Sequence, residues 1–477
     1  MTMKKIWIII LLIGLSNCKK NETYQIDKQT LEINDFIWKA MNSYYLWKDK
    51  VPELSDKTFI NQEALNGYLE NYSNPEELFE SLIYKRDQVD RWSWIVDDFP
   101  ALIRMFQGIR KTTGMRIGLV YEPGSNHYIF AYVKYVLPNS DAYNKGIVRG
   151  NIFRYINGTR LSIDNYQELL NTDNFEIELA DWSGNNLVEN GTIISLTKTQ
   201  VSENPVFISD IIHHNGKKIG YLMYNGFTYS YDAYLNQIFY QFRVNNIDEL
   251  ILDLRYNPGG SVSTMQNLAS MITGQFSGQV FLKYQWHPQL QEWTQTYYPQ
   301  SLQKYFTDQL PTGTNIEHLL LNKVYIIATQ NSASASESLI NCLNPYIDVI
   351  HIGTQTHGKY TASVTLFDSP SFGYDDINPN HNWALQPIVL KVSNANDETD
   401  FINGLTPDYY QAEDFRNLGE LGNENEPLLH TALQLIDGNI PLKTNNSNNF
   451  GEIYYKEMPL MDEMYFLSIE KLKNTND

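Results

Sequence analysis

Cysteine is nearly absent from this chain: Cys18 and Cys342 are the two it has. Stability must therefore come from buried cores, and a disulfide framework is excluded as the organising device. Basic charge is also scarce, with 36 Lys and Arg against 55 Asp and Glu, a net charge of −19 and a pI near 4.9. Nucleic acid and anionic lipid are thereby excluded as main partners, because binding them needs clustered Lys and Arg. The 9 histidines, His213-His214 and His351 among them, show no metal-ligand spacing, so neither metal nor cofactor is expected. No Gly-x-Ser-x-Gly elbow and no His-Glu-x-x-His occurs. What is present is a chain of 477 residues, 42% of them apolar, with 33 Tyr and 9 Trp. That length suggests about three domains, and the composition suits strands and aromatic-lined grooves more than helical bundles.

The N-terminus carries an address. Lys4 and Lys5 precede the apolar run Ile6–Leu15, followed by Ser16, Asn17 and Cys18. A charged start, a short apolar stretch and a small-residue exit describe a secretory signal, too short for a good membrane span. Cys18 after that exit resembles a bacterial lipoprotein box, with Asn17 standing where Gly, Ala or Ser is usual. The expectation is a signal peptide over 1–18, lipidation at Cys18, and a chain tethered to the cell envelope, facing the periplasm or the exterior. Lipidation would also remove any disulfide within the chain.

Residues 19–30 are polar and read as a tether. From 31 to 107 the spacing is helical, with Ile33, Phe36, Ile37, Ala40 and Tyr44 at three- and four-residue steps. Asn74-Pro75 opens a second helical run through Leu78, Phe79, Leu82 and Ile83, Asn as cap and Pro at the first position. Arg91-Trp92-Ser93-Trp94-Ile95 reads as ordinary core, although it is aromatic enough to dock on another unit. Over 108–202 the period changes to two, with strand-like runs at Ile117–Tyr121, Tyr128–Val136 and Thr192–Thr197. Across 203–440 strands and helices alternate: Ile219–Met223, Tyr231–Val244, Leu250–Leu254, Thr264–Ile272, Val324–Ala328 and Ser336–Leu343. Such alternation predicts an α/β layer structure. The remaining 441–477 reads as an uninformative tail.

Two segments stand out chemically. Leu252-Asp253-Leu254-Arg255-Tyr256-Asn257-Pro258-Gly259-Gly260 is a buried strand ending in a turn, where two glycines free backbone N–H groups and permit close approach. Asn331-Ser332-Ala333-Ser334-Ala335-Ser336-Glu337 lies between a strand and a helix. A serine there meets the free N–H groups of a helix N-terminus, good placement for a developing oxyanion. Helix capping by one of the serines, with Glu337 supporting the first turn, explains the second segment equally well on its own.

Together with Thr356-His357-Gly358-Lys359 and Gly404-Leu405-Thr406-Pro407-Asp408, these segments resemble the C-terminal processing (tail-specific) peptidases. Those are Ser-Lys serine peptidases carrying a PDZ domain, and the resemblance runs from about Gly108 to Ile436. It implies a multidomain α/β architecture: a ClpP/crotonase-like protease domain, a PDZ-like β-rich domain and a small helical N-terminal domain. It implies Ser334 as nucleophile, Lys359 as general base, and an oxyanion hole from Gly259 or Gly260 with Ala335. The PDZ-like region, with Val136–Ala142, Gly146-Ile147, Gly150–Ile152 and Ile156–Gly158, would bind a peptide by strand addition. There Met115–Leu119, with Ile117, Gly118 and Leu119, forms the terminus-binding loop. One position departs: family members often carry Gln four residues after the lysine, to orient it, and here that residue is Ser363, a shorter substitute. A lysine serves as base near neutrality only where burial disfavours its ammonium form.

The substrates implied are exported or envelope polypeptides, unfolded or with exposed C-termini. The competing reading is an inactive lipoprotein that binds peptides in the PDZ-like groove. Gly353-x-x-x-x-Gly358-Lys359 imitates a phosphate-binding loop but lacks the following Ser or Thr, having Tyr360 instead. Ser301-x-x-Lys304 and Ser468-x-x-Lys471 lack the companion motifs of penicilloyl enzymes, and His357 offers a minor route to a Ser–His–Asp triad.

Overall fold

A computed structural model describes residues 26–439 and the backbone of 452–453 and 465–466. Cys18 and the expected signal segment lie outside the described residues.

The centre is a six-stranded sheet in the order Val206–His214, Lys217–Tyr224, Glu249–Asp253, Lys323–Ala328, Asp348–Gly353, Tyr409–Tyr410. The first pair is antiparallel and all the others are parallel. Parallel strands need covering on both faces, and their side chains show how it is done. Leu250 and Leu252 belong to one apolar cluster with Leu235, Phe239, Leu268 and Leu339 of the helices Asp232–Val244, Val262–Ile272 and Ala335–Leu343. Ile251 belongs to another, with Leu428, Leu429 and Leu433 of the helix Pro427–Ile436. The expected elements of this region are all present, within a few residues of the predicted ends.

The N-terminal helix Lys28–Tyr44 starts three residues before the expected pattern, because the Asp27 side chain caps Thr30 N. Asn74 and Pro75 open the helix Pro75–Ser81 as their chemistry predicts. Ile33, Phe36 and Ile37 join the same cluster as the helices that cover the sheet, so the helical piece shares a core with the sheet. The Arg91–Ile95 stretch does dock. Trp94–Val96 pairs antiparallel with Ala384–Gln386, and Trp92 is buried against Leu46 and Ile388.

Residues 109–202 form a β-rich insertion on a two-stranded stalk, Ile109–Thr112 with Thr199–Ser202. Its sheet runs Met115–Tyr121, Ile129–Val136, Ile152–Ile156, Asn174–Ser183, Asn186–Thr197. Short helices at Asp141–Asn144 and Tyr166–Asn171 accompany the strands. The expected terminus-binding loop at Met115–Leu119 is strand instead, the strand-like run expected from Ile117 starting already at Met115. Arg116 is buried there on Glu203 at 2.7 Å, and Ile117 and Leu119 pack in the insertion's core, which holds the segment extended. Gly118 is needed for packing: a Cβ would lie 2.3 Å from the Tyr132 ring.

Candidate active site

Three adjacent parallel strands end on the same side of the sheet, and each runs into one of the segments singled out above. Glu249–Asp253 leads to the glycine turn, Lys323–Ala328 to Ser334, and Asp348–Gly353 to Lys359. Segments about 75 and 25 residues apart thus meet where α/β sheets place their ligands.

The serines of Ser332-Ala333-Ser334-Ala335-Ser336 separate by what they touch. Ser332 Oγ donates to Leu254 O at 2.7 Å and Ser336 Oγ to Asn257 O at 2.8 Å, stitching the turn to the glycine segment. Ser334 Oγ is buried without a hydrogen-bond partner. Its backbone sits at φ 60°, outside the usual range for a non-glycine residue, at the N-cap of Ala335–Leu343. Strain and an unsatisfied hydroxyl on one residue are what a turn built for reactivity shows.

Gly259 lies against this serine. With φ +114°, a Cβ on Gly259 would come 2.8 Å from Ser334 Cβ and 3.1 Å from Ala335 N, so only glycine fits. Its own N–H donates to Asn257 Oδ1 at 2.9 Å. Gly260 closes on Phe227 from the other side, where a Cβ would meet Phe227 O at 2.4 Å. Beside this turn opens a cleft of about 90 Å³ lined in part by Phe106, Arg110, Glu203, Asn225 and Gly260. Both amide atoms of the buried Asn225 side chain are unpartnered.

Lys359 is fully buried, its Nζ 5.9 Å from the centre of the Trp92 ring. Ser363 lies four residues on, within the strand Thr361–Val364, and its hydroxyl accepts a hydrogen bond from Gln386 Nε2 at 3.0 Å. The lysine and serine segments are tied together by Glu337, which sequence reasoning had read only as support for a helix turn. Its Oε2 accepts Ser334 N at 2.8 Å and Lys359 N at 2.8 Å; its Oε1 accepts Thr356 Oγ1 at 2.6 Å and Gly358 N at 2.6 Å. Burial pushes the Glu337 carboxyl above its ordinary value while these four donors oppose that. The phosphate-loop resemblance of Gly353–Lys359 is resolved by the backbone donors, because Gly358 and Lys359 N are filled by the Glu337 carboxylate and Thr354, Thr356 and His357 N by the carbonyls of Ala328, Leu405 and Ser332.

Gly404–Asp408 braces the lysine turn from outside. Leu405 N donates to Thr356 Oγ1 at 2.7 Å, and a Cβ on Gly404 would fall 2.0 Å from Thr356 O. Behind the glycine segment, Arg255 is buried on Asp253 and Glu426. Glu413 bridges Arg255 to Arg149 of the insertion. Burial would raise the Glu413 carboxyl, but Arg149 and Arg255 overcome it and hold it down at about 2. Among the described residues, no group of three or more His, Cys, Asp or Glu could hold a metal ion.

Two family descriptions match the chain: the Peptidase S41 N-terminal domain over residues 32–94 and Peptidase family S41 over 218–410, together more than half of it. The chain belongs to peptidase family S41. It is thus a serine peptidase by family. Among solved structures, a protein assigned as an S41 protease from Bacteroides fragilis NCTC 9343 is 25% identical with a TM-score of 0.64, covering 84% of this chain and 97% of its own. The photosystem II D1 C-terminal processing protease is 18% identical with a TM-score of 0.49, over 83% of this chain and 95% of its own. No curated protein sequence matches. In S41 terms the helical region is the family's N-terminal domain, and here it supplies Trp92, the ring beside Lys359.

Proposed function

We propose that this S41 chain is an endopeptidase in which Ser334 attacks the scissile carbonyl and Lys359 is the general base. The unpartnered Ser334 hydroxyl, held at positive φ against Gly259, is the observation that carries the reading. Lys359 is cut off from bulk water, the condition under which a lysine can accept a proton. It takes the Ser334 proton as the Oγ–carbonyl bond forms. Ala335 N–H, with Gly259 or Gly260 N–H, holds the tetrahedral oxyanion. The Asn257 bond to Gly259 N–H favours Gly260 as the second donor. Lys359 then returns the proton to the leaving amine, and water releases the acyl group.

Substrates in this proposal are exported polypeptides that are unfolded or have accessible C-termini. Ile117, Gly118 and Leu119 form part of the edge that receives them in a PDZ-like manner. Cys18, by its setting after the apolar run, anchors the enzyme to the envelope; Cys18→Ala should move it from the membrane to the soluble fraction. The mechanism is tested on protein lacking residues 1–18 with an unfolded substrate, beside Ser334→Ala and Lys359→Ala. Cleavage by the parent and by neither variant, with folding intact, supports the dyad. An inert parent, or variants that still cut, refutes it and leaves the peptide-binding lipoprotein.

A further inference from the structure

Two short strands of the C-terminal region pair with the strand proposed to receive substrate and with the strand that follows Lys359. Glu452–Ile453 adds antiparallel to the free edge of Met115–Tyr121, with Glu452 opposite Val120 and Ile453 opposite Leu119. Tyr465–Phe466 adds parallel to Thr361–Val364, with Tyr465 opposite Ser363 and Phe466 opposite Val364. The first edge belongs to the strand carrying Ile117, Gly118 and Leu119. The second begins two residues after Lys359. Backbone pairing of this kind is indifferent to side chains, so whatever extended chain is nearest and most concentrated takes the edge. A tail of the same molecule has the advantage, since its effective concentration exceeds that of an external peptide.

We propose that the chain's own C-terminal segment is a substrate-like ligand, occupying the insertion's edge and the lysine strand together and restraining the enzyme until it is displaced. The claim of restraint rests on the peptidase reading; the claim of occupancy does not. Adjacent residues of a strand point their N–H groups to opposite sides, so replacing both residues of a pair by proline removes the ladder donor whichever it is. The test uses the full chain with Ser334→Ala, to prevent self-cleavage, and compares it with the same protein carrying Glu452→Pro/Ile453→Pro and Tyr465→Pro/Phe466→Pro. Hydrogen exchange is read at the amides of 117–121 and 361–364. Exchange at least tenfold faster in both segments of the proline variant, reversed by adding a synthetic peptide of residues 448–470, is the expected result. Unchanged exchange overturns the proposal, even if the enzyme is active. With Ser334 restored, the proline variant should hydrolyse an unfolded protein severalfold faster than the parent; faster exchange without faster hydrolysis in an active enzyme refutes restraint. A parent and a proline variant that are both inert, with the exchange effect intact, would count against the peptidase reading alone.

A different observation concerns Gln386. It is buried, its Nε2 is spent on Ser363, and its Oε1 has no partner. Tyr360 O pairs with Val392 N at 2.9 Å, so the segment bearing Lys359 runs directly into the strand Thr361–Val364 that carries Ser363. Gln386 also pairs in register with Trp94, two residues from the ring beside Lys359 Nζ. We infer that Gln386 is a positioning residue: held by Ser363, it offers Oε1 to an N–H of Lys359 and aims the amine at Ser334. This rests on the dyad, which the alanine variants above test separately. Gln386→Met, which keeps the volume, should lower kcat about 100-fold with KM little changed, and adding Ser363→Gln should restore most of it. An unchanged kcat, or a loss that Ser363→Gln leaves untouched while the fold is intact, overturns the assignment.

Discussion

Glu337→Gln is the sharpest test of how the site is held. The carboxylate accepts four hydrogen bonds, two at each oxygen. An amide has one acceptor oxygen, so two donors must lose their partner in either orientation. With the NH₂ toward Ser334 N and Lys359 N, two buried backbone donors face a third donor. With the NH₂ toward Thr356 and Gly358, the Thr356 hydroxyl can turn to accept, so Gly358 N–H is the one backbone donor orphaned. The second arrangement is the cheaper one. A buried donor left unsatisfied costs about 1–3 kcal/mol, and hydrogen bonds to a charged group contribute about 1.5–3 kcal/mol each. Relief of the burial cost of the charge offsets part of this, leaving a destabilisation of about 2–4 kcal/mol. The consequence for activity should be larger than for folding, because both lost contacts, at Thr356 Oγ1 and Gly358 N, sit on the turn that positions Lys359. A shift of the lysine by about 1 Å costs about 100-fold in rate. Urea unfolding gives the stability and hydrolysis of an unfolded protein gives the rate. A variant within about 0.5 kcal/mol of the parent and equally fast would refute the view that this carboxylate holds the two segments together.

Gly259→Ala should lose about 1–3 kcal/mol of stability and, where it folds, at least about 100-fold in kcat. Its Cβ would press 2.8 Å from Ser334 Cβ at a φ that alanine resists; steady-state kinetics with a denaturation curve decide it. Burial raises the Asp232 carboxyl from 3.8 to about 6, against an Asn267 donor. The folded state therefore binds this proton more tightly, and the chain loses up to about 3 kcal/mol from this group as pH rises from about 4 to above 6. Unfolding free energies of parent and Asp232→Asn should diverge across that window in favour of the variant, and parallel curves would refute it. Glu413 has the opposite sign: depressed to about 2 from 4.5, it contributes about 3 kcal/mol above pH 4.5 that is lost as pH falls toward 2. Glu413→Gln should be the weaker protein at pH 7 and approach the parent in acid.

Much of the central architecture was legible from period alone. A buried run such as Leu250–Asp253 can hardly be anything but an inner strand, and Asn74-Pro75 announces a helix start wherever it stands. The segments bearing Ser334 and Gly259 were legible locally as a helix start and a glycine turn after strands, but their chemistry, and Lys359 altogether, came from the resemblance, because capping explains the serines equally well. The misread loop at Met115–Leu119 shows the limit. Arg116 suggests exposure until Glu203, far along the chain, arrives to neutralise it.

By itself the sequence determined which segments would be strands and helices, and which turns carried serine, lysine and paired glycines. These are properties of neighbouring residues. Only the tertiary structure decided that Ser334 alone of its serines keeps an unpartnered hydroxyl, that Glu337 joins two turns, and that Trp92 and Gln386 line the same place. It likewise decided which strands Glu452–Ile453 and Tyr465–Phe466 pair with. A hydrogen-bond partner is chosen by where strands stop in space, and a carboxylate, an amide or a strand edge carries no local mark of who will reach it.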